Sequence, residues 1–153
     1  PQYPLNPTYM ELIFRDLVDL DRTVVPALLR AAGARRKWML SGDIGAGKTT
    51  LVQALCRHFG VQDYVTSPTF SLVNAYSYPD AEAKEGQALI HHLDLYRLKN
   101  LDEAIDIGIE EYLGDPWFCW VEWPELITPL WPEEVFKINL EILEDSSRKI
   151  LFL

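Results

Sequence analysis

The spacing of apolar residues along the chain predicts three amphipathic helices. Each carries apolar side chains three and four positions apart, which places them on one face. Residues 19–21 supply N-cap candidates for the first helix, and glycines at 33 and 60 provide stops for the first and second. The predicted helices are residues 19–32, 49–59 and 102–113.

Short apolar or alternating runs between these helices predict strands. The run at 117–121 is apolar at five consecutive positions, which is typical of a strand covered on both faces. The last two runs are separated by a turn at 145–147 and predict a C-terminal β-hairpin. The predicted strands are residues 10–17 (a weak pattern), 38–40, 70–78, 89–95, 117–121, 135–143 and 150–153, with a polar loop at 79–86.

Strands interleaved with helices predict an α/β fold with a mixed parallel and antiparallel central sheet. At 153 residues the chain is the size of one domain, so we expect a single domain over residues 1–153, with residues 1–8 as a loose N-terminal arm. The composition, 48% hydrophobic and 24% charged, is that of an ordinary globular protein.

The net charge of −9 argues against direct binding of nucleic acid. A protein that holds RNA unaided is expected to carry a basic stripe that neutralises phosphates. The densest basic cluster, Arg35, Arg36 and Lys37, is more simply a solvated loop before a strand. If a nucleic acid is the final substrate, we expect a partner to hold it.

The sequence predicts a cytoplasmic protein that does not enter a membrane. No apolar run approaches the roughly 20 residues of a membrane span, and the N-terminal segment lacks the basic and apolar regions of a signal peptide. Cys56 and Cys119 each lie in an apolar stretch without a second metal ligand nearby, so we expect buried thiols in a reducing compartment.

Residues 42–49 match the phosphate-binding pattern G-x-x-x-x-G-K-[ST]. Polyphosphate needs a ring of backbone N–H donors, and glycines allow the close approach and the positive φ angles of such a ring. The following helix points its N-terminus at the phosphates, where a lysine reaches the β- and γ-phosphates and a threonine hydroxyl suits Mg²⁺. The predicted binding residues are Gly42, Asp43, Gly45, Ala46, Gly47, Lys48, Thr49 and Thr50.

A Mg²⁺ ion bound with the nucleotide needs at least one carboxylate, and two candidates follow strands. Glu122 ends the apolar run 117–121, and Asp94 ends the run that begins at residue 89. We favour Thr49 and Glu122 as the metal ligands and Asp94 as a second carboxylate that holds metal-bound water or orients the attacking water. The reverse assignment is almost equally compatible with the sequence, and either acid could simply cap an element.

Other residues near these motifs are individually weaker candidates. Thr69, in the sequence Ser-Pro-Thr-Phe, could approach Mg²⁺ and the γ-phosphate as a switch threonine, or could only satisfy its own turn. His92 is more often structural than a proton carrier at such a position. Trp123 is predicted at the rim of the nucleotide site, and Arg97 is a candidate arginine for the transferring phosphate.

Four segments together resemble the bacterial TsaE (YjeE) ATPase family: GDIGAGKTT, SPTF, HLDLYRL and VEWPE, in this order. The resemblance covers the chain from about residue 20 to its C-terminus. It implies a small P-loop NTPase-like three-layer fold, ATP binding with Mg²⁺, and slow hydrolysis that serves threonylcarbamoyladenosine formation on tRNA. It also implies two partners, a TsaD-like transferase and a TsaB-like protein, with tRNA reached only through the complex.

The resemblance assigns roles to particular residues. Lys48 and Thr49 would bind phosphate and metal, Glu122 would ligate Mg²⁺, and Asp94 and Thr69 would belong to the hydrolysis and switch machinery. Near the adenine it suggests Asp21, Thr23 and Arg148. The charged loop at 79–86 and the short final strand depart from the family pattern and bear on the base contacts, not on the phosphate site.

Two other functional classes stay open at this stage. A small-molecule kinase would need an acceptor pocket and an arginine-rich lid, and no arginine cluster follows the second helix. A nucleotide-gated binding protein would bind ATP without essential hydrolysis. The residues alone do not distinguish ATP from GTP.

Overall fold

The computed structural model describes residues 9–153, so the predicted arm at residues 1–8 lies outside the described residues. Its framework is a seven-stranded sheet. The strands are β1 (Met10–Phe14), β2 (Lys37–Gly42), β3 (Val73–Pro79), β4 (Gln87–Asp94), β5 (Phe118–Glu122), β6 (Phe136–Ile142) and β7 (Arg148–Phe152).

The sheet has the order β1-β7-β6-β2-β5-β4-β3 and is parallel at its centre. Strands β6, β2, β5 and β4 pair in parallel, while β7 and β1 on one side and β3 on the other are antiparallel. The predicted mixed sheet and C-terminal hairpin are therefore confirmed. Because parallel strands end at the same edge, β2, β5 and β4 deliver their C-terminal residues side by side.

The first predicted helix begins earlier than expected and is not regular. It consists of α1 (Leu17–Asp19), a π-helical turn (Leu20–Val24) and α2 (Val25–Ala32), and its N-cap is Asp16, whose side chain accepts from the Asp19 N–H at 2.8 Å. Pro26 explains the wide turn, because proline lacks an N–H and its ring would clash with the carbonyl four residues earlier in a regular α-helix.

The remaining helices lie between strands along the chain. They are α3 (Lys48–Phe59), α4 (Leu101–Asp106), α5 (Ile109–Gly114) and a 3₁₀ segment (Pro124–Leu130). Two sequence predictions were wrong here. The single helix predicted at 102–113 is divided by Gly108, whose φ of 82° starts α5 in a left-handed conformation, and the strand predicted from residue 70 begins only at Val73.

Two separate hydrophobic cores sandwich the sheet. The first packs the π-helical turn, α2 and α3 against one face, and the second packs α4, α5 and the 3₁₀ segment against the other. The arrangement is the predicted three-layer α/β fold. None of the helices within residues 9–153 combines the length and the apolar character that crossing a bilayer requires.

Candidate functional site

The loop between β2 and α3, residues 42–47, is called the glycine loop below. Its backbone conformation is one that only glycine adopts easily. Gly42, Gly45 and Gly47 have φ angles of 147°, 82° and 109°. A Cβ on Gly42 would lie 2.6 Å from the backbone oxygen of Leu140 on β6, so the loop passes too close to its neighbour for any side chain. The glycines thus leave an open cradle of main-chain groups at the N-terminus of α3, where the helix dipole favours an anion.

Lys48 opens α3 and is almost completely buried, with 6% of its surface exposed. Its Nζ donates to the backbone oxygen of Gly42 and lies 3.8 Å from the centre of the Trp123 ring. Burial lowers the pKa of this amine, and the negative charges of Glu122 and Asp94 partly oppose that shift. An anionic ligand at the cradle would therefore find a desolvated cation beside it.

The carboxylates of Asp94 and Glu122 meet at the C-terminal edge of the sheet. The two residues are register partners on β4 and β5, and Glu122 is also opposite Leu40 on β2. Both are buried, at 4% and 3% exposure. Strand pairing thus brings the two acids next to the loop between β2 and α3.

The two carboxylates differ in how their oxygens are used. In Asp94, Oδ2 accepts from the Thr69 hydroxyl at 2.8 Å and Oδ1 accepts from the Tyr96 N–H at 2.9 Å. In Glu122, Oε2 is hydrogen-bonded to Nε2 of His92 at 2.6 Å, and Oε1 has no side-chain or backbone donor within residues 9–153. Glu122 therefore has an oxygen available for a ligand.

Thr69 belongs to a tight turn that is tied to the end of β4. The Leu72 N–H donates to the Pro68 oxygen at 2.7 Å, and the Asp94 N–H donates to the Leu72 oxygen at 3.0 Å. The Thr69 hydroxyl is also 2.7 Å from that of Ser67. The turn thus places the Thr69 hydroxyl on Asp94 and the Ser67 hydroxyl beside that of Thr69.

Trp123 has an unusual backbone immediately after Glu122. Its φ of 57° and ψ of 53° place it in the left-handed region, which is costly for a bulky residue. Its ring lies 5.0 Å from the ring of Tyr96, and the two aromatic side chains form one wall of the site.

These groups surround one cavity of about 530 Å³. Its walls come from the β1–α1 connection, the glycine loop, the Ser67–Thr69 turn, the ends of β4 and β5, and the β6–β7 hairpin. The lining residues are Phe14, Arg15, Asp16, Leu17, Ile44, Gly45, Gly47, Lys48, Thr49, Thr50, Ser67, Thr69, Asp94, Tyr96, Glu122, Trp123, Ser146 and Arg148.

The residues of the cavity fit a Mg²⁺-nucleotide rather than a metal ion alone. Within residues 9–153 no three His, Cys, Asp or Glu side chains converge as a metal cage. The hard oxygens of Thr49 and Glu122 lie in the cavity beside an anion cradle. Mg²⁺ in phosphate-binding sites takes few ligands from the protein and the rest from phosphate and water, which agrees with this donor set.

The sequence profile described as "Threonylcarbamoyl adenosine biosynthesis protein TsaE" matches residues 18–150 of the chain. The chain belongs to the TsaE family. The match covers every residue that lines the cavity except Phe14, Arg15, Asp16 and Leu17.

Individual relatives support this membership. The TsaE protein of Treponema pallidum (strain Nichols) is 34% identical over 143 residues, which is 92% of this chain and 98% of the relative. The TsaE protein of Bacillus subtilis (strain 168) is 34% identical over 137 residues, 88% of this chain and 81% of the relative. Both carry the name tRNA threonylcarbamoyladenosine biosynthesis protein.

A solved structure shows the same fold. The crystal structure of Bacillus subtilis YdiB superimposes with a TM-score of 0.65 at 28% sequence identity, and covers 96% of this chain and 87% of that one. The family resemblance and the fold predicted from the sequence are thus both confirmed.

In this TsaE-family chain, most of the predicted phosphate-loop residues line the cavity. Five do so directly: Gly45, Gly47, Lys48, Thr49 and Thr50. The other three, Gly42, Asp43 and Ala46, belong to the loop without lining the cavity. The carbonyl of Gly42 holds Lys48, and the N–H of the buried Ala46 donates to the oxygen of Asp43 at 3.0 Å.

The predicted base-contacting residues are divided by the structure. Arg148 lines the cavity, and its Nη1 donates to the oxygen of Ser146 at 2.7 Å. Asp21 and Thr23 do not line it, and Asp21 forms an ion pair with Arg57 at 2.9 Å on the outside of the first core. The residues of the π-helical turn are thus not part of the cavity lining, whereas residues 14–17 are.

Sequence reasoning missed residues 14–17, which run from the last residue of β1 to the first residue of α1. Phe14, Arg15, Asp16 and Leu17 line the cavity because β1 joins the sheet beside β7, which brings the β1–α1 connection next to the β6–β7 hairpin. An ion pair of 2.7 Å between Arg15 and Asp145 links the two segments. Nothing in the local pattern signals this, because 130 positions separate the partners.

Proposed function

We propose that this protein binds ATP with Mg²⁺ in the cavity at the glycine loop and hydrolyses it in support of threonylcarbamoyladenosine formation on tRNA. One observation carries the proposal: Lys48, at the start of α3, shares a 530 Å³ cavity with Asp94 and Glu122. An anion cradle beside two buried acids is what a Mg²⁺-triphosphate needs. The pathway follows from the TsaE relatives, whose names state it.

The phosphates would be bound by the backbone of the glycine loop and by Lys48. In the described structure the Lys48 amine is held by the Gly42 carbonyl and the Trp123 ring. Burial lowers the pKa of this amine because it disfavours the charged form. A phosphate would stabilise the charged amine more strongly than the carbonyl and the ring do. Nucleotide binding is therefore expected to draw Lys48 away from Trp123.

Thr49 and Glu122 would hold the metal, and Asp94 and Thr69 would act on the water. Glu122 has a free oxygen, while both oxygens of Asp94 already accept hydrogen bonds, which favours the metal role for Glu122. Bound Mg²⁺ supplies positive charge to the phosphate oxygens. The Thr69 hydroxyl, fixed by Asp94 at 2.8 Å, would orient a water for in-line attack on the γ-phosphate.

Slow hydrolysis by the isolated protein is expected, because the two arginines that line the cavity within residues 9–153 are held by partners on the β6–β7 hairpin. Arg97, the candidate from the sequence, lies 4.4 Å from the Phe70 ring and is not a cavity residue. Arg15 and Arg148 are at the hairpin side, where they bind Asp145 and Ser146. We expect TsaD-like and TsaB-like partners to raise the rate and to present the tRNA, which a chain of net charge −9 is poorly suited to hold.

The proposal is tested by nucleotide binding and turnover in matched variants. Lys48→Ala is expected to lose more than about 100-fold in Mg²⁺-ATP affinity, because a charge-assisted contact worth about 3 kcal/mol is removed. Lys84→Ala, in the exposed loop before β4, is the control and should bind normally. Binding by Lys48→Ala at the wild-type level would refute the phosphate site.

Turnover separates the proposed ATPase from the two other classes. Asp94→Asn and Glu122→Gln are expected to reduce phosphate release with and without the two partners, and to abolish modification of tRNA in a reconstituted reaction. If both variants support modification normally while Lys48→Ala does not, nucleotide binding alone is the function. Transfer of phosphate to an added metabolite, in place of free phosphate, would identify a kinase.

A further inference from the structure

His92 is a buried polar side chain that the proposed reaction leaves without a role. It lies on β4, two residues before Asp94 and opposite Trp120 on β5, and none of its surface is exposed. Its Nε2 is 2.6 Å from Oε2 of Glu122. A polar ring in the middle of a closed core is costly unless it makes a strong hydrogen bond, so this contact accounts for its presence.

Within residues 9–153, the hydrogen bond to Glu122 is the only one that the His92 ring makes. A carboxylate only accepts, so Nε2 carries the hydrogen and donates it. The other nitrogen, Nδ1, is buried and has no hydrogen-bond partner within residues 9–153. A histidine kept to stabilise a core would be expected to satisfy both nitrogens, as buried polar groups generally do.

We infer that His92 is a positioning residue that decides which oxygen Glu122 presents to the metal. By holding Oε2, it leaves only Oε1 for the cavity and makes Glu122 a one-oxygen ligand. The inference rests on the proposed Mg²⁺-ATP site. It matches the general behaviour of carboxylates at metal sites, which are themselves oriented by hydrogen bonds from residues behind them.

Asp94 provides the contrast within the same site. Its two oxygens are fixed by Thr69 and by the Tyr96 N–H, both of which are at the cavity. Glu122 is instead held from the interior of the sheet, on the side away from the ligand. Loss of His92 would let the Glu122 carboxylate rotate, so that it would be expected to bind the metal in several geometries and each less firmly.

A matched pair of substitutions isolates the hydrogen bond from the packing. His92→Gln keeps an N–H donor at about the position of Nε2, and His92→Met has a similar length and volume without a donor. Ile90→Val is the packing control, because Ile90 is fully buried on the same strand and the same face, two residues away. Thermal unfolding of all three variants shows which of them fold.

The metal is measured directly, in addition to activity. Mn²⁺ binding is followed by electron paramagnetic resonance in the presence of a non-hydrolysable ATP analogue, and binding of the same analogue is measured with EDTA in place of metal. His92→Met is expected to weaken Mn²⁺ binding and to lower kcat by about 10- to 100-fold, the usual cost of losing a residue that orients a metal ligand. Metal-free binding of the analogue should change less than about twofold, and His92→Gln should recover most of the loss.

Two results would overturn the inference. If His92→Met and His92→Gln bind Mn²⁺ equally, or if Ile90→Val loses as much as His92→Met, the ring acts only through packing. If His92→Met weakens metal-free and metal-dependent binding alike, it does not act through the metal ligand. Failure of the proposed function is distinct, since wild-type protein would then bind neither the analogue nor Mn²⁺ with it.

Discussion

Gly42 shows how a single residue type is imposed by its surroundings. The position combines a φ of 147° with a neighbouring backbone that an added Cβ would meet at 2.6 Å, at the oxygen of Leu140. Backbone on β6 cannot move aside without breaking its pairing with β2, where Gly42 and Leu140 are register partners. The start of the glycine loop is therefore fixed by the sheet.

Gly42→Ala is expected to reduce the free energy of unfolding by about 3 kcal/mol or more, because strain and a backbone clash add. Gly86→Ala is the control, since Gly86 has a φ of 74° but nothing within 4 Å of an added Cβ. The control should lose about 1–2 kcal/mol from strain alone. Urea unfolding measures both, and equal losses would show that the contact with Leu140 is not the cause.

The glycine loop between β2 and α3 could be predicted from the sequence because its backbone requirements are local. Eight consecutive positions, 42–49, specify a turn, a helix start, a cation and a hydroxyl. The pair Asp94 and Glu122 was also accessible, because each ends an apolar strand. The contact between His92 and Glu122 was not, since it depends on which strands are neighbours in the sheet.

At the scale of elements, the interruption between α4 and α5 is a feature that the spacing of apolar residues does not predict. The pattern at 102–113 favours one helix, and apolar side chains from both halves do pack on the same core. Gly108, in a left-handed conformation, nevertheless starts a new helix. Glycine weakens helices by only about 1 kcal/mol relative to alanine, so tertiary packing decides whether the helix continues.

The start of β3 illustrates a similar limit. Residues 70–72 continue the apolar pattern that predicts a strand, but they form a turn in which Leu72 has a φ of 68°. Its carbonyl accepts from the Asp94 N–H, so the turn serves the acid at the end of β4. A contact with the end of β4 thus replaces the regular strand that the local pattern favours.

The start of α4 offers a test of an element on its own. Asn100 is the N-cap, and its side-chain oxygen accepts from the Glu103 N–H at 3.0 Å. Asn100→Ala is expected to lower the free energy of unfolding by about 1 kcal/mol, while Asn100→Gly should lose only a few tenths. Asn100→Asp keeps the acceptor and should be at least as stable as the wild type, since it adds negative charge at a helix N-terminus.

Urea unfolding at one pH orders these three variants. The expected order of stability places the aspartate first, the glycine next and the alanine last. A glycine variant less stable than the alanine variant would mean that backbone freedom, not the lost acceptor, controls this helix end.

At the scale of the whole molecule, the sheet separates two closed cores, and each contains one cysteine. Cys56 on α3 lies in the first core and Cys119 on β5 in the second, and both are free thiols. Burial raises the pKa of each thiol to about 12, from an ordinary value near 8.5. The pKa of each thiol therefore depends on how well solvent is excluded from its own side of the sheet.

These thiols are expected to make the fold sensitive to alkali. A raised pKa means that the folded state keeps a proton that the unfolded chain releases, so the stability it contributes is complete below about pH 8.5 and is lost as the pH rises towards 12. Each thiol should lower the free energy of unfolding by about 1.4 kcal/mol per pH unit in that range, or about 2 kcal/mol between pH 8.5 and pH 10. Tyr78, whose pKa burial also raises, contributes equally to wild type and variants and cancels in their difference.

Urea unfolding of wild type, Cys56→Ala and Cys119→Ala at pH 7, 8.5 and 10 measures the two contributions separately. Each variant should be less stable than the wild type at pH 7, because a buried side chain is shortened, yet should lose less stability on going to pH 10. A variant whose stability falls as steeply as that of the wild type would show that its thiol is reached by solvent in the folded protein. Since one thiol lies on each side of the sheet, the result would also identify which core opens.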